Sequence, residues 1–150
     1  MQKLQALSYN KNMLINGVII RKLESLETTL DELRSLGEVS VQQLQDDWRT
    51  KRAIERNLQV LVEIVMDISQ RLISVSGQTP ASTGRGAIER CIQLGVLSDY
   101  DMYRKMVQFR NFIVHRYEQV DTEILVVMIN RKLGDFECFR TEILTYVKNN

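Results

Sequence analysis

The sequence predicts an all-α bundle of five helices, and three observations predict it. Apolar residues recur at steps of three and four through most of the 150 residues. One proline and seven glycines are too few for a turn-rich all-β chain. No run of residues makes a convincing strand. The length suits a single domain over residues 1–150, because one hydrophobic core supports about that many residues.

The first helix is marked by Ile15, Ile19, Leu23, Leu26, Leu30 and Leu33, one apolar stripe that ends at Gly37. A second stripe runs through Ile54, Leu58, Leu61, Val65, Ile68 and Leu72, between roughly Asp47 and Ser76. Gly77 and Pro80 stop it. Arg52, Arg56, Glu63, Asp67 and Arg71 form a polar stripe in the opposite register of that helix. A connector from Gly77 to Gly84 follows, then a short helix with Ala87, Ile88, Cys91, Ile92 and Leu94, closed by Gly95 at C′. Ser98 is the expected cap of a fourth helix through Met102, Met106, Phe109 and Ile113. The run Ile124 to Ile129 could be a strand by itself. Continued helical spacing through Leu133, Phe136, Ile143 and Val147 decides for one long fifth helix. There is no internal repeat or low-complexity stretch, and the heptad from Leu23 to Leu33 is too short for a free-standing coiled coil.

Composition excludes several function classes. Twenty Lys and Arg against nineteen Asp and Glu give a net charge of +1, so any site for nucleic acid must be a local concentration of charge. The longest apolar run, Ile124 to Ile129, is far short of the roughly 20 residues that span a bilayer. Cys91 and Cys138 form no CxxC pair, and the first ten residues lack a secretory pattern. Both thiols are therefore expected to be buried, in a cytoplasmic protein. One histidine and two isolated cysteines do not make a zinc site, so no metal and no cofactor is expected. Ser82-Thr83-Gly84-Arg85-Gly86 lacks both a preceding strand and the Lys-Ser/Thr of a phosphate-binding loop. A flexible connector is the expectation there.

The densest polar cluster near aromatics runs from Gln108 to Glu118 and holds Arg110, Asn111, His115 and Tyr117. On a continuous helix, at about 100° per residue, Tyr117 lies nearly on the face of Arg110, whereas His115 is about 140° away. A regular helix in one chain does not converge all three. Either the helix frays or turns near His115, or a second copy of the segment completes the site.

Arg110, four residues, His115, one residue and Tyr117 match R-x4-H-x-Y, and the chain thereby resembles the HEPN-domain proteins. Asn111 matches the polar residue that often follows the arginine. Arg52-Ala53-Ile54-Glu55-Arg56, the stretch from Glu63 to Asp67, and Gly95-Val96-Leu97 are similar to the HepT toxin branch of that superfamily. The resemblance covers nearly the whole chain. It implies a five-helix HEPN bundle, a homodimer or higher assembly whose motifs face each other across a cleft, and metal-independent ribonuclease chemistry on RNA, with tRNA as the expected class. It also implies an antitoxin partner of the MntA minimal-nucleotidyltransferase type, which transfers AMP to the motif tyrosine, here Tyr117.

The residue chemistry is compatible with that implication. RNA is cut without metal when a base removes the 2′-OH proton, the 2′-oxygen attacks the adjacent phosphorus, and an acid protonates the departing 5′-oxygen. Imidazole, near its reference pKa of about 6.5, serves either role. Arg110 supplies a fixed cation with paired donors for the growing phosphate charge. Two copies of His115 in a dimer would supply the two proton transfers. On its own, a lone histidine among apolar residues is more often a satisfied structural side chain. Arg110 could likewise pair with Glu63 or Asp67, and Tyr117 could be a buried aromatic. Arg52, Arg56, Arg104, Lys105 and Arg116 are candidates for an RNA path, with plain surface charge as the alternative for Arg104 and Lys105. The rival function is a non-catalytic HEPN module that binds a nucleotidyltransferase or a nucleotide.

Overall fold

A computed structural model describes residues 15–110, 112 and 121–150 in full and the backbone of 2–14, 111 and 113–115. Among the described residues there are seven helices and no strand. The all-α expectation holds, and the count of five does not.

Helix α1, Gln2–Arg34, buries Ile19, Leu23, Leu26, Leu30 and Leu33 along one face. It stops where expected: Gly37, at a φ of 67°, takes the left-handed conformation that glycine adopts at little cost. The first unforeseen helix follows. Helix α2, Val41–Asp46, is six residues long and is held by a capping box, in which the Ser40 hydroxyl oxygen accepts from the Gln43 N–H and the Gln43 side-chain oxygen accepts from the Ser40 N–H. It buries only Leu44, too little periodicity to register against the longer stripes around it. Asp47 then caps α3, Trp48–Val75, whose core face is the stripe from Ile54 to Leu72.

Helix α4, Gly84–Gln93, begins earlier than expected. Thr83 accepts from the Gly86 N–H, and Gly84-Arg85-Gly86 forms the first helical turn instead of a connector. The lack of a side chain at Gly84 has a packing reason. A Cβ there would stand 2.6 Å from Val107 Cγ1 and 2.8 Å from Met66 Cε, so this glycine lets α3, α4 and α5 approach. Gly84→Ala is therefore expected to lower stability by about 1–2 kcal/mol, the overpacking cost outweighing alanine's better helix propensity. A urea unfolding curve checks this; a midpoint at or above that of the parent would count against the close approach. Gly95, at a φ of 77°, closes α4 in the expected C′ position.

Helix α5, Asp101–His115, is followed by α6, Thr122–Arg131, and α7, Leu133–Asn149. These last two replace the single long helix. The break at Lys132 has a tertiary cause: the Asn130 amide accepts from Val39 N at 3.0 Å and donates to Val39 O at 2.8 Å, tying the end of α6 to the α1–α2 loop. Helix α7 instead lies along α1 through Arg34–Glu137 and Arg140–Glu27. The apolar spacing passes through both helices without betraying the change of direction.

Side-chain pairs give the helix directions. Lys22 meets Asp67 and Glu32 meets Asn57, so α1 and α3 are antiparallel. The two α1–α7 ion pairs make those helices antiparallel too. Near its start α5 meets Cys138 and Glu142, and farther on Phe109 and Phe112 border a groove with Met128, Lys132 and Phe136. Helix α5 therefore runs opposite to α7 and α3. One core of buried aliphatic and aromatic residues joins all seven helices. Among the described residues no helix is long and apolar enough to cross a membrane.

Candidate functional site

The helix that carries the motif is fastened at its amino half. Tyr103 is fully buried, edge-on to Phe139 at 6.0 Å between centroids, and its hydroxyl donates to Glu142. Burial raises the Tyr103 phenol well above its ordinary pKa, and Cys138 and Glu142 push the same way. Glu142 also accepts from the Ser98 N–H at 2.9 Å and the Ser98 hydroxyl at 2.6 Å. Ser98 thus spends its side chain on α7 and does not cap α5 as the sequence suggests. On the other side Arg104 bridges Glu89 of α4 and Asp99, the latter at 2.7 Å. The bond to Arg104 holds the Glu89 carboxyl below its usual range. Arg104 is thereby committed to structure and leaves the expected RNA path. Lys105 faces Asp101 at 3.5 Å, with both side chains 69% exposed.

From this anchored start α5 continues without interruption through His115. Arg110 is half-buried, and its Nε is buried with no hydrogen-bond partner among the described residues. A buried N–H without an acceptor costs about 1–3 kcal/mol, so Arg110 holds a donor that the fold leaves unsatisfied. The sequence alternative of an ion pair with Glu63 or Asp67 is not found. Glu63 accepts from Gln59 at 3.0 Å, while Asp67 binds Lys22 of α1 and stands 3.3 Å from Arg71. Those contacts hold the Asp67 carboxyl below its usual range against the opposing effect of burial. This part of the polar stripe serves α1–α3 packing, and the structure does not bring it to Arg110.

His115 is the last residue of α5, and Asn111 lies within the helix; their side chains, and Tyr117 and Arg116 altogether, lie outside the described residues. The backbone still answers part of the geometric question. Because α5 stays helical to its end, Arg110 and His115 leave the axis about 140° apart, so they do not share a face within one chain.

The two cysteines differ. Cys91 is buried, and burial pushes its thiol up to about 11, partly offset by its bond to Ser69 O. Cys138 is only half-buried, contrary to expectation, with its sulfur 3.5 Å from the Tyr103 hydroxyl. Among the described residues no three His, Cys, Asp or Glu side chains converge as a metal site would need. Glu142 and the Glu89–Arg104–Asp99 clamp went unseen in the sequence, since nothing local relates residues so far apart.

Comparison with known proteins bears on this arrangement. A family model described as "Ribonuclease HepT-like" matches residues 26–143. The protein named mRNA nuclease HepT, from Shewanella oneidensis, is 25% identical over 128 residues, which are 83% of this chain and 95% of that protein. The solved structure of a tri-AMPylated Shewanella oneidensis HEPN toxin in complex with MNT antitoxin superposes with a TM-score of 0.76 at 23% identity, covering 85% of this chain and 97% of that one. YutE from Bacillus subtilis, described as a cytosolic protein of unknown function, superposes with a TM-score of 0.74 at 17% identity, over 89% and 91% of the two chains. At those identities the superpositions show the fold.

Proposed function

The chain belongs to the ribonuclease HepT-like family, and we propose that it is the toxin of a two-component system, a ribonuclease whose Arg110 and His115 act on RNA. The observation that carries this reading is Arg110: a half-buried guanidinium whose Nε has no acceptor among the described residues, five positions before the chain's single histidine. Arg140 also has a buried Nε without a partner, but its guanidinium is held by Glu27 at 3.2 Å, whereas Arg110 has no ion pair among the described residues. In a phosphate site the donor waits for substrate.

Within this reading His115 moves protons and Arg110 binds the phosphate. One imidazole accepts the 2′-OH proton as the 2′-oxygen attacks phosphorus. A protonated imidazole returns a proton to the 5′-oxygen as the P–O5′ bond breaks. Arg110 donates to the non-bridging oxygens, whose charge grows on the way to the transition state. Asn111 supports the pair as a further polar side chain of the motif. The 140° separation on α5 favours a homodimer in which two copies of the helix end share one cleft, because the arginine of one chain then stands beside the histidine of the other. The partner is a nucleotidyltransferase antitoxin of the MntA type, by analogy with the MNT antitoxin bound to the Shewanella toxin. The alternative is a non-catalytic module: one that binds a nucleotidyltransferase leaves the unpaired donor of Arg110 without a use, and one that binds a nucleotide would leave RNA intact.

The RNA class is the finer point. Family resemblance implies tRNA, while the Shewanella relative is named an mRNA nuclease. We take tRNA as the first substrate to test; mapping new RNA ends after brief induction separates the two, and ends confined to mRNA would correct this choice. Cleavage is expected to be indifferent to EDTA, because imidazole and guanidinium carry the mechanism and no step needs a Lewis acid. Incubating the purified chain with total RNA, with and without chelator, checks this. Activity lost to EDTA and restored by Mg²⁺ or Mn²⁺ would overturn metal independence, and intact RNA under all conditions would overturn the nuclease reading.

A further inference from the structure

The first turns of α3 carry a surface that the cleavage chemistry does not use. Trp48, the only tryptophan in the chain, opens the helix with 66% of its area in solvent. The Arg49 guanidinium carbon lies 5.5 Å from the indole centroid, stacked over the ring. Arg52 is 62% exposed on its side chain, and its nearest carboxylate oxygen, on Glu55, is 3.6 Å away. Arg56 is exposed and forms no ion pair among the described residues. Asp46 and Asp47 also stand at this end and keep their charge, Asp46 accepting from Gln42 and Asp47 from Thr50, whose bonds hold the Asp47 carboxyl below the usual range.

Helix geometry places these groups together. At about 100° per residue, Trp48, Arg52, Arg56 and Arg49 fall within a sector of about 100°, away from the core-facing Ile54, Leu58 and Leu61. Met66 follows Trp48 by five full turns and points the same way, and Met66 meets Gly84 and Val107 of α4 and α5. The Trp48 edge of the sector therefore lies toward α5, while its Arg49 edge, which shares the direction of Asp67 eighteen residues on, lies toward Lys22 of α1. Since α3 and α5 are antiparallel, Arg56, Arg52 and Trp48 step outward in order from the end of α5 that holds His115, about 6 Å per step.

We propose that this surface is a subsite for single-stranded RNA flanking the cleaved bond, with a base stacked on Trp48 and the adjoining phosphates held by Arg49, Arg52 and Arg56. The proposal rests on the ribonuclease reading and adds where the strand runs. Single strands are bound through aromatic faces that stack on bases and basic side chains that follow the backbone, and this sector offers both in one line. A protein partner would call for an apolar centre, whereas the exposed large hydrophobic residues of α3 are only Trp48 and, at the far end, Val75.

The lone tryptophan makes the test direct. The full His115→Ala chain, which leaves RNA intact, is titrated with a single-stranded RNA oligonucleotide while Trp48 fluorescence is followed, and fluorescence anisotropy of a labelled copy of the RNA gives the affinity independently. The expected result is quenching that saturates together with the anisotropy. Trp48→Phe should bind within about threefold of the parent and Trp48→Ala on the order of tenfold more weakly. Replacing Arg52 and Arg56 together with glutamine should reduce the slope of log K against log salt by about 1.4, at about 0.7 for each single-strand phosphate that is no longer neutralised. Binding without quenching, with Trp48→Ala as tight as the parent, would overturn the subsite. So would loss of a nucleotidyltransferase partner, instead of RNA, on Trp48→Ala. If the chain bearing His115 cuts RNA in either of those cases, the nuclease reading stands and only the subsite falls; if it neither binds nor cuts RNA, both fall.

Discussion

Replacing His115 or Arg110 with alanine is expected to lower RNA cleavage by at least a hundredfold each, and to abolish toxicity, while leaving helicity and assembly as in the parent. The magnitude follows from the roles. Positioned proton transfer contributes about 10²–10⁴ in rate, and a donor aimed at developing phosphate charge about 10²–10³. The fold is expected to survive because Arg110 Nε makes no described hydrogen bond that its removal would break, and because α5 is anchored elsewhere, by Tyr103, Arg104 and the close packing of Val107 on Gly84. Cleavage rates, circular dichroism and sizing of the same preparations give the answer. If both variants lost their helical signal, the two side chains would be structural and the mechanism would fail.

The second large effect concerns Tyr117. A phenol in the motif is expected to accept AMP: its oxygen attacks the α-phosphorus of ATP, the bond to pyrophosphate breaks, and the phenolic proton is lost to base. Each adduct adds one phosphodiester negative charge and a nucleoside to the site proposed to receive an RNA phosphate. It should thus occupy Arg110 and exclude substrate by charge and volume together. Tyr117→Phe is expected to remain toxic in the presence of its nucleotidyltransferase partner with ATP and Mg²⁺, where the parent chain is fully neutralised. Intact mass checks the acceptor directly, as adducts of about 329 Da should be absent from Tyr117→Phe. Their appearance there in equal amount would move the acceptor to another tyrosine. Tyr100, 48% exposed, is open to an enzyme, whereas Tyr103 is fully buried with its hydroxyl bound to Glu142.

The sequence by itself determined the helical class, the buried stripes and the stops at Gly37, Gly77 and Gly95, because all of these depend on residues within a few positions of one another. The 3.6-residue period reports which face is buried, and a left-handed glycine reports where a helix ends. The motif Arg110-x4-His115-x-Tyr117 was legible for the same reason, as a fixed local spacing. What the tertiary structure decided is where distant residues meet. Asn130 bonding to Val39 splits one apolar run into α6 and α7. Ser98 turns from a cap into a partner of Glu142, and Asp67 pairs with Lys22, leaving Arg110 Nε unpaired among the described residues. Each of these outcomes is a competition between a local bond and one formed by a residue tens of positions away. Local spacing carries no record of the second competitor, so the winner is fixed only when the helices pack.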